Sequence, residues 1–212
     1  MPDVVTRRFD RVASATLVLV LLAGCTTIRR CSYEGFGRDE RQQPERVIEA
    51  LGITPGTRIA DLGSGSGYFT FRLADATGPT GKVYAVDVDE AMQEYLAGIV
   101  RERGVENVEI VIATPDDAGL PEGEIDLLFT SNTYHHIEDP VSYFTRARRH
   151  LAAEGRIAII DYHEDAGWFQ STFGHAIDGD VIEEHMTEAG YELVAEPGFL
   201  EQQNFLIFAP AQ

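Results

Sequence analysis

An aspartate followed by three alternating glycines, Asp61-Leu62-Gly63-Ser64-Gly65-Ser66-Gly67-Tyr68, is the stretch of this chain best suited to holding a small ligand. It follows an apolar run ending at Ala60 and precedes a helix-like segment from Phe69 to Ala76, so it reads as a bend between strand and helix. Glycines let backbone amides approach a ligand closely, and the helix N-terminus adds partial positive charge. A dinucleotide fingerprint would place glycine at 63, 65 and 68, but residue 68 is tyrosine. Asp87 ends the next apolar run, 20 residues after Gly67. A carboxylate there can accept hydrogen bonds from both hydroxyls of a ribose.

Further stretches carry reactive side chains. Asp116 and Asp117 stand in the acidic loop Ala113-Thr114-Pro115-Asp116-Asp117-Ala118-Gly119-Leu120-Pro121. Asn132, Tyr134, His135 and His136 fall in Ser131-Asn132-Thr133-Tyr134-His135-His136, where a histidine could take a proton near neutral pH. The sequence Asp161-Tyr162-His163-Glu164-Asp165 ends a later apolar run. Imidazole and carboxylate suit divalent metals, yet no tight ligand spacing appears, so no metal is expected. Trp168, Phe169, Phe173 and His175 follow, placed either to cover a ligand pocket or simply to cover the sheet.

The elements that must position these residues alternate along the chain. Strands are expected at Arg58 to Leu62, Lys82 to Val88, Val108 to Ala113, Ile125 to Thr130 and Arg156 to Asp161. Helices are expected at Pro44 to Leu51, Glu90 to Arg103, Pro140 to Leu151 and Asp180 to Ala189, with Asp89 and Asp180 as N-caps and Gly104, Gly155 and Gly190 as stops. Two strands without an intervening helix, Tyr191 to Ala195 and Asn204 to Phe208, finish the chain. Such alternation implies an α/β fold with a mostly parallel sheet and helices on both faces. Ligands of such sheets bind beyond the carboxyl ends of the strands, where the singled-out residues fall.

The acid-x-Gly-x-Gly-x-Gly pattern closely resembles motif I of the class I S-adenosylmethionine-dependent methyltransferases, and the resemblance covers roughly residues 43–210. It implies a Rossmann-like sheet of order 3-2-1-4-5-7-6 with the last strand antiparallel. It also implies a cofactor site made of Asp61, Gly63, Ser64, Gly65, Ser66, Gly67, Tyr68, Asp87, Val88 and Asn132. One of Asp116 and Asp117 would meet the adenine amino group, and Tyr134, His135 or His136 would stand at the methyl-transfer site. The cofactor so implied is S-adenosylmethionine, and the acceptor a small molecule or a lipid headgroup; the alternative is a membrane-anchored binding lipoprotein that keeps the fold without turnover.

With 35 acids against 17 bases, the net charge is −18, so a polyanion such as nucleic acid is an unfavourable partner. The N-terminus differs in kind. Arg7, Arg8 and Arg11 precede an apolar run, Val12 to Ala23, that rises about 18 Å as a helix, short of the roughly 30 Å of a bilayer core. It therefore reads as a signal peptide over residues 1–24. Leu22-Ala23-Gly24-Cys25 resembles the lipobox of bacterial lipoproteins, which implies acylation of Cys25, a tether over 25–43 and a domain over 44–212 anchored at a bacterial cell envelope. The alternative is an uncleaved helix on a cytoplasmic protein. Mass spectrometry of the membrane fraction is expected to find a chain beginning at acylated Cys25; an intact Met1 terminus in the soluble fraction would rule the anchor out.

Overall fold

Five apolar runs of the sequence pair side by side as parallel strands in the computed structural model, which describes residues 37–163 and 176–212. The elements are α1 (Arg38–Gln42), α2 (Pro44–Leu51), β1 (Arg58–Leu62), α3 (Thr70–Thr77), β2 (Lys82–Asp87), α4 (Glu90–Arg103), β3 (Val108–Ile112) and β4 (Ile125–Ser131). A 3₁₀ turn at Tyr134–His136 then leads to α5 (Pro140–Ala147), a second 3₁₀ turn at Arg148–His150, β5 (Leu151–Tyr162), α6 (Gly179–Glu188), β6 (Tyr191–Ala195) and β7 (Gln203–Pro210). The strand order is β3-β2-β1-β4-β5-β7-β6, with β7 antiparallel to both neighbours. This is the expected arrangement.

Both faces of the sheet are covered, which explains why its central strands are apolar at nearly every position rather than at alternate ones. Along β5, Ile157 and Ile159 join one core with Phe144 of α5 and Met186 of α6. Ala158 and Ile160 face the other way, packing with Leu51 of α2 and Leu73 of α3. A third cluster seats Leu96 and Val100 of α4 on Ala85 of β2. Phe129 has no exposed surface, and its burial contributes roughly 2 to 3 kcal/mol.

Asp89 caps α4 as its position suggests, its Oδ1 accepting from the amides of Ala91 and Met92 at 3.0 and 3.2 Å. Some expectations are corrected. The helix after Pro140 ends at Ala147, and β5 begins as early as Leu151. Gly155 is therefore no helix stop but part of β5. Ile125 pairs with Leu151 while Leu127 pairs with Arg156, so the chain bulges between them. A Cβ on Gly155 would stand 2.6 Å from the Ile125 carbonyl oxygen, so the bulge closes only on glycine. Asp180 lies in the first turn of α6, and the cap position is Asp178.

The stretch expected to be the end of a tether is also different. One compact unit spans Gly37–Gln212, and α1 is part of it. Gln42 is buried and donates to Ser131 Oγ at 3.3 Å, tying α1 to the end of β4. Expectations on the signal peptide, Cys25 and Cys31 lie outside the described residues, as do those on Glu164, Asp165, Trp168, Phe169, Phe173 and His175. No helix among the described residues is long and apolar enough to cross a membrane.

Candidate functional site

The glycine bend is stitched to the end of β2. The Gly63 and Ser64 amides donate to the Val86 carbonyl at 2.8 and 3.0 Å, and the Gly65 amide donates to Asp87 Oδ2 at 2.9 Å. Gly63, Gly65 and Gly67 all have positive φ, a conformation that side chains disfavour. Space matters as well: a Cβ on Gly63 would lie 2.0 Å from Thr133 Oγ1, and one on Gly67 would lie 2.5 Å from Leu96. These amides serve the bend itself, which corrects the expectation that they point at a ligand. The cleft-lining group they position is the Asp87 carboxylate.

Asp87 also accepts from the Asp89 amide through Oδ1 at 3.0 Å. Each carboxylate oxygen holds about two acceptor sites, so both can still take a ribose hydroxyl. Asp87 stands on a cleft of ≈ 350 Å³ at the carboxyl edge of the sheet, together with Gly63, Val88, Asp116, Thr133 and His136. Val88 is 57% exposed and offers an apolar surface to a flat ring.

Other residues singled out from the sequence stand elsewhere. Asp61 is buried beneath the bend, where Thr70 Oγ1 of α3 donates to its Oδ2 at 2.5 Å. Burial pushes its carboxyl up to about 6; the Thr70 hydrogen bond opposes this and the Asp87 charge adds to it. Ser64 is buried too, beside Gln93 of α4. Tyr68 does not line the cleft. The guanidinium groups of Arg38 and Arg72 lie over its ring at 3.6 and 4.4 Å, and its hydroxyl donates to Asp39. Burial first, then the Asp39 hydrogen bond, raises its phenol well above the usual range.

Tyr134 is a core residue rather than a methyl-transfer residue. It is 1% exposed, stacks on Phe144, and its hydroxyl lies 3.0 Å from His185 Nδ1. The two adjacent histidines separate: His136 lines the cleft, whereas His135 binds Asp161. The His135 Nδ1 is 2.8 Å from Asp161 Oδ1, its amide donates to Oδ2 at 3.2 Å, and Asp161 has no exposed surface. A carboxylate so placed fixes the proton on Nδ1 and sets the orientation of the ring. Asn132 adopts φ 56° and accepts from Gln203 Nε2 at 2.6 Å, outside the cleft lining. Asp116 lines the cleft, while Asp117 is drawn back by Arg149 and the Gly119 amide.

The fold recurs in known proteins. A family model described as a methyltransferase domain matches residues 53–195. The chain belongs to that family. Among curated relatives it is 29% identical over 119 residues to a nocamycin O-methyltransferase of Saccharothrix syringae, covering 56% of this chain and 42% of that protein. It is 29% identical over 120 residues to a ubiquinone/menaquinone biosynthesis C-methyltransferase of Ectopseudomonas mendocina, covering 55% of this chain and 46% of that one. The chain thus spans less than half the length of these relatives. Among solved structures, a SAM dependent methyltransferase from Aquifex aeolicus superposes with a TM-score of 0.78 at 24% identity, covering 85% of this chain and 96% of that one.

Sequence reading missed Thr133, Arg146 and the whole of α1. The glycine at 63 was the available signal for Thr133, since close approach demands something to approach.

The buried acid generates a pH prediction. Folded Asp61 keeps its proton up to about 6, whereas an unfolded aspartate loses it near 3.9. The folded state binds more protons in that window, so this group's contribution to stability falls as pH rises through it. Asp61→Asn, which can still accept from Thr70, is expected to gain about 3 kcal/mol at pH 7.5 and to change the slope of stability against pH between 4 and 6 by this group's share. Urea unfolding at several pH values measures both; an unchanged slope would refute the assignment.

Proposed function

We propose that this protein is an S-adenosylmethionine-dependent methyltransferase acting on a small-molecule acceptor, with Asp87 on the cofactor's ribose. The observation that carries the reading is the Asp87 carboxylate, held by the Gly65 and Asp89 amides at the mouth of the cleft. The residues present fit that cofactor: two carboxylate oxygens for two ribose hydroxyls, Val88 for one face of the purine, and a Gly63–Thr133 contact too close for any larger residue. Bound there, the sulfonium supplies an already activated methyl group for in-line displacement.

The chain's own contribution is alignment and exclusion of water. Thr133 and Gly63 close one wall of the cleft, and the acids Asp87, Asp116, Glu138 and Asp139 surround it. That rim suits a cationic donor and disfavours an anionic acceptor. His136, the histidine that lines the cleft, takes the proton from the acceptor's nucleophile. The O- and C-methyltransferase relatives act on different kinds of atom, so the acceptor atom does not carry over from them. The lipobox-like Leu22-Ala23-Gly24-Cys25 supports an anchor at a bacterial cell envelope.

Isothermal titration tests the cofactor. Asp87→Ala is expected to weaken S-adenosylmethionine binding at least about tenfold, the loss of two charge-assisted hydrogen bonds; unchanged affinity, or tight binding of NAD instead, would contradict the reading. Labelled S-adenosylmethionine incubated separately with small-molecule and lipid extracts tests turnover. Label is expected in the small-molecule fraction, and His136→Ala should lower it by roughly tenfold or more. Transfer to neither fraction would defeat the proposal.

A further inference from the structure

The loop between β3 and β4 carries two adjacent aspartates, and each has its own arginine. Arg149, in the turn after α5, binds the Asp117 carboxylate, whose other oxygen accepts from the Gly119 amide at 3.0 Å and lies 3.4 Å from His150 Nε2. The Gly119 hydrogen bond, ahead of the Arg149 charge, holds that carboxyl below the usual range, so Asp117 is fully committed to the loop. Arg146 of α5 grips Asp116 differently, at two points. Its Nε donates to the Asp116 carbonyl at 3.1 Å and its Nη2 to Oδ1 at 3.3 Å. Among the described residues, Asp116 Oδ2 accepts no hydrogen bond.

Position gives this grip a consequence. The Ala113 amide donates to the Asp87 carbonyl at 2.9 Å, so the loop sets off directly beside the ribose acid. Val88, Pro115, Asp116 and Arg146 all line the same cleft. A purine on a ribose held at Asp87 must run along this loop, with Asp116 at its far edge. The Asp116 side chain is 88% exposed and that of Arg146 is 42% exposed. A pair so exposed adds little to stability, so its effect is on where the carboxylate points.

We propose that Arg146 is a specificity-determining positioning residue that holds Asp116 at the cleft edge so that the site reads the 6-amino group of the purine. The proposal rests on the methyltransferase reading and deepens it. A carboxylate only accepts hydrogen bonds. It pairs with a 6-amino donor; held opposite position 6, it meets the oxygen of a 6-oxo purine instead, and the N1–H donor of that base lies to one side of it. Without Arg146, Asp116 turns toward water and the distinction fades. Arg146 lies within the matched family region, but it belongs to neither the glycine bend nor the strand-end acid, and nothing in those motifs demands it.

The test compares binding of S-adenosylhomocysteine with that of S-inosylhomocysteine, in which a 6-oxo group replaces the 6-amino group and N1 carries a proton. The wild-type protein is expected to prefer the adenosine compound by roughly tenfold or more. Arg146→Met should bring the preference to within about threefold, mainly by weakening the adenosine compound, with an unchanged melting temperature. Arg146→Lys, which keeps the charge but not the two-point grip, should fall between them. A wild-type ratio retained in Arg146→Met, or parallel loss of both ligands, would overturn the proposal. Wild-type protein that binds neither compound would instead contradict the methyltransferase reading. Binding of both without preference would sink this inference alone.

Discussion

One hydrogen bond joins the two halves of the site: the Gly65 amide on Asp87 Oδ2. It is possible only because the chain leaving β1 turns back over the end of β2, with three glycines at positive φ and two amides tied to the Val86 carbonyl. Parallel strands put both segments at the same edge, since β1 and β2 run side by side in register. The carboxylate is thereby fixed before any ligand arrives, and little ordering is left for binding to supply. A side chain at Gly63 or Gly67 would collide with Thr133 or with Leu96, so the bend is shaped by its neighbours as much as by its own flexibility.

The acids of the site divide their roles by environment. Asp61 lies under the bend, where desolvation makes it a weak acid and Thr70 restrains it. Asp87 is at the cleft and retains acceptor capacity. Asp161 is fully buried, but its oxygens are taken up by His135 and the Tyr162 amide, so it orients an imidazole rather than meeting a ligand. Asp116 and Asp117 are neighbours in sequence, yet they bind different arginines, and Asp116 alone of the two lines the cleft. Burial and partner choice, not residue type, set what each carboxylate does.

Much of the fold was legible because it depends on local patterns. Continuous apolar runs marked the buried strands, and Asp89 announced the start of α4. The bend-to-acid spacing marked Gly63 and Asp87 because it reflects one strand, one turn and one helix of fixed length. What stayed hidden depends on contacts between distant segments. Tyr134 looked reactive beside two histidines, but a 3₁₀ turn rotates it into the core against Phe144. Helix α1 is polar and only five residues long, so no periodicity betrays it; its Arg38 lies on Tyr68 and its Gln42 binds Ser131. The choice between Asp116 and Asp117 rests on Arg146 and Arg149, some 30 residues onward in the chain. Gly155 read as a helix stop because a bulge and a cap favour the same residue.

The most direct measurement is a crystal structure of the protein soaked with S-adenosylhomocysteine. The account predicts density in the cleft, with both ribose hydroxyls on Asp87 and the purine between Val88 and the 114–116 loop. A nucleoside bound anywhere else on the molecule, or a ribose in the cleft out of reach of Asp87, would contradict it.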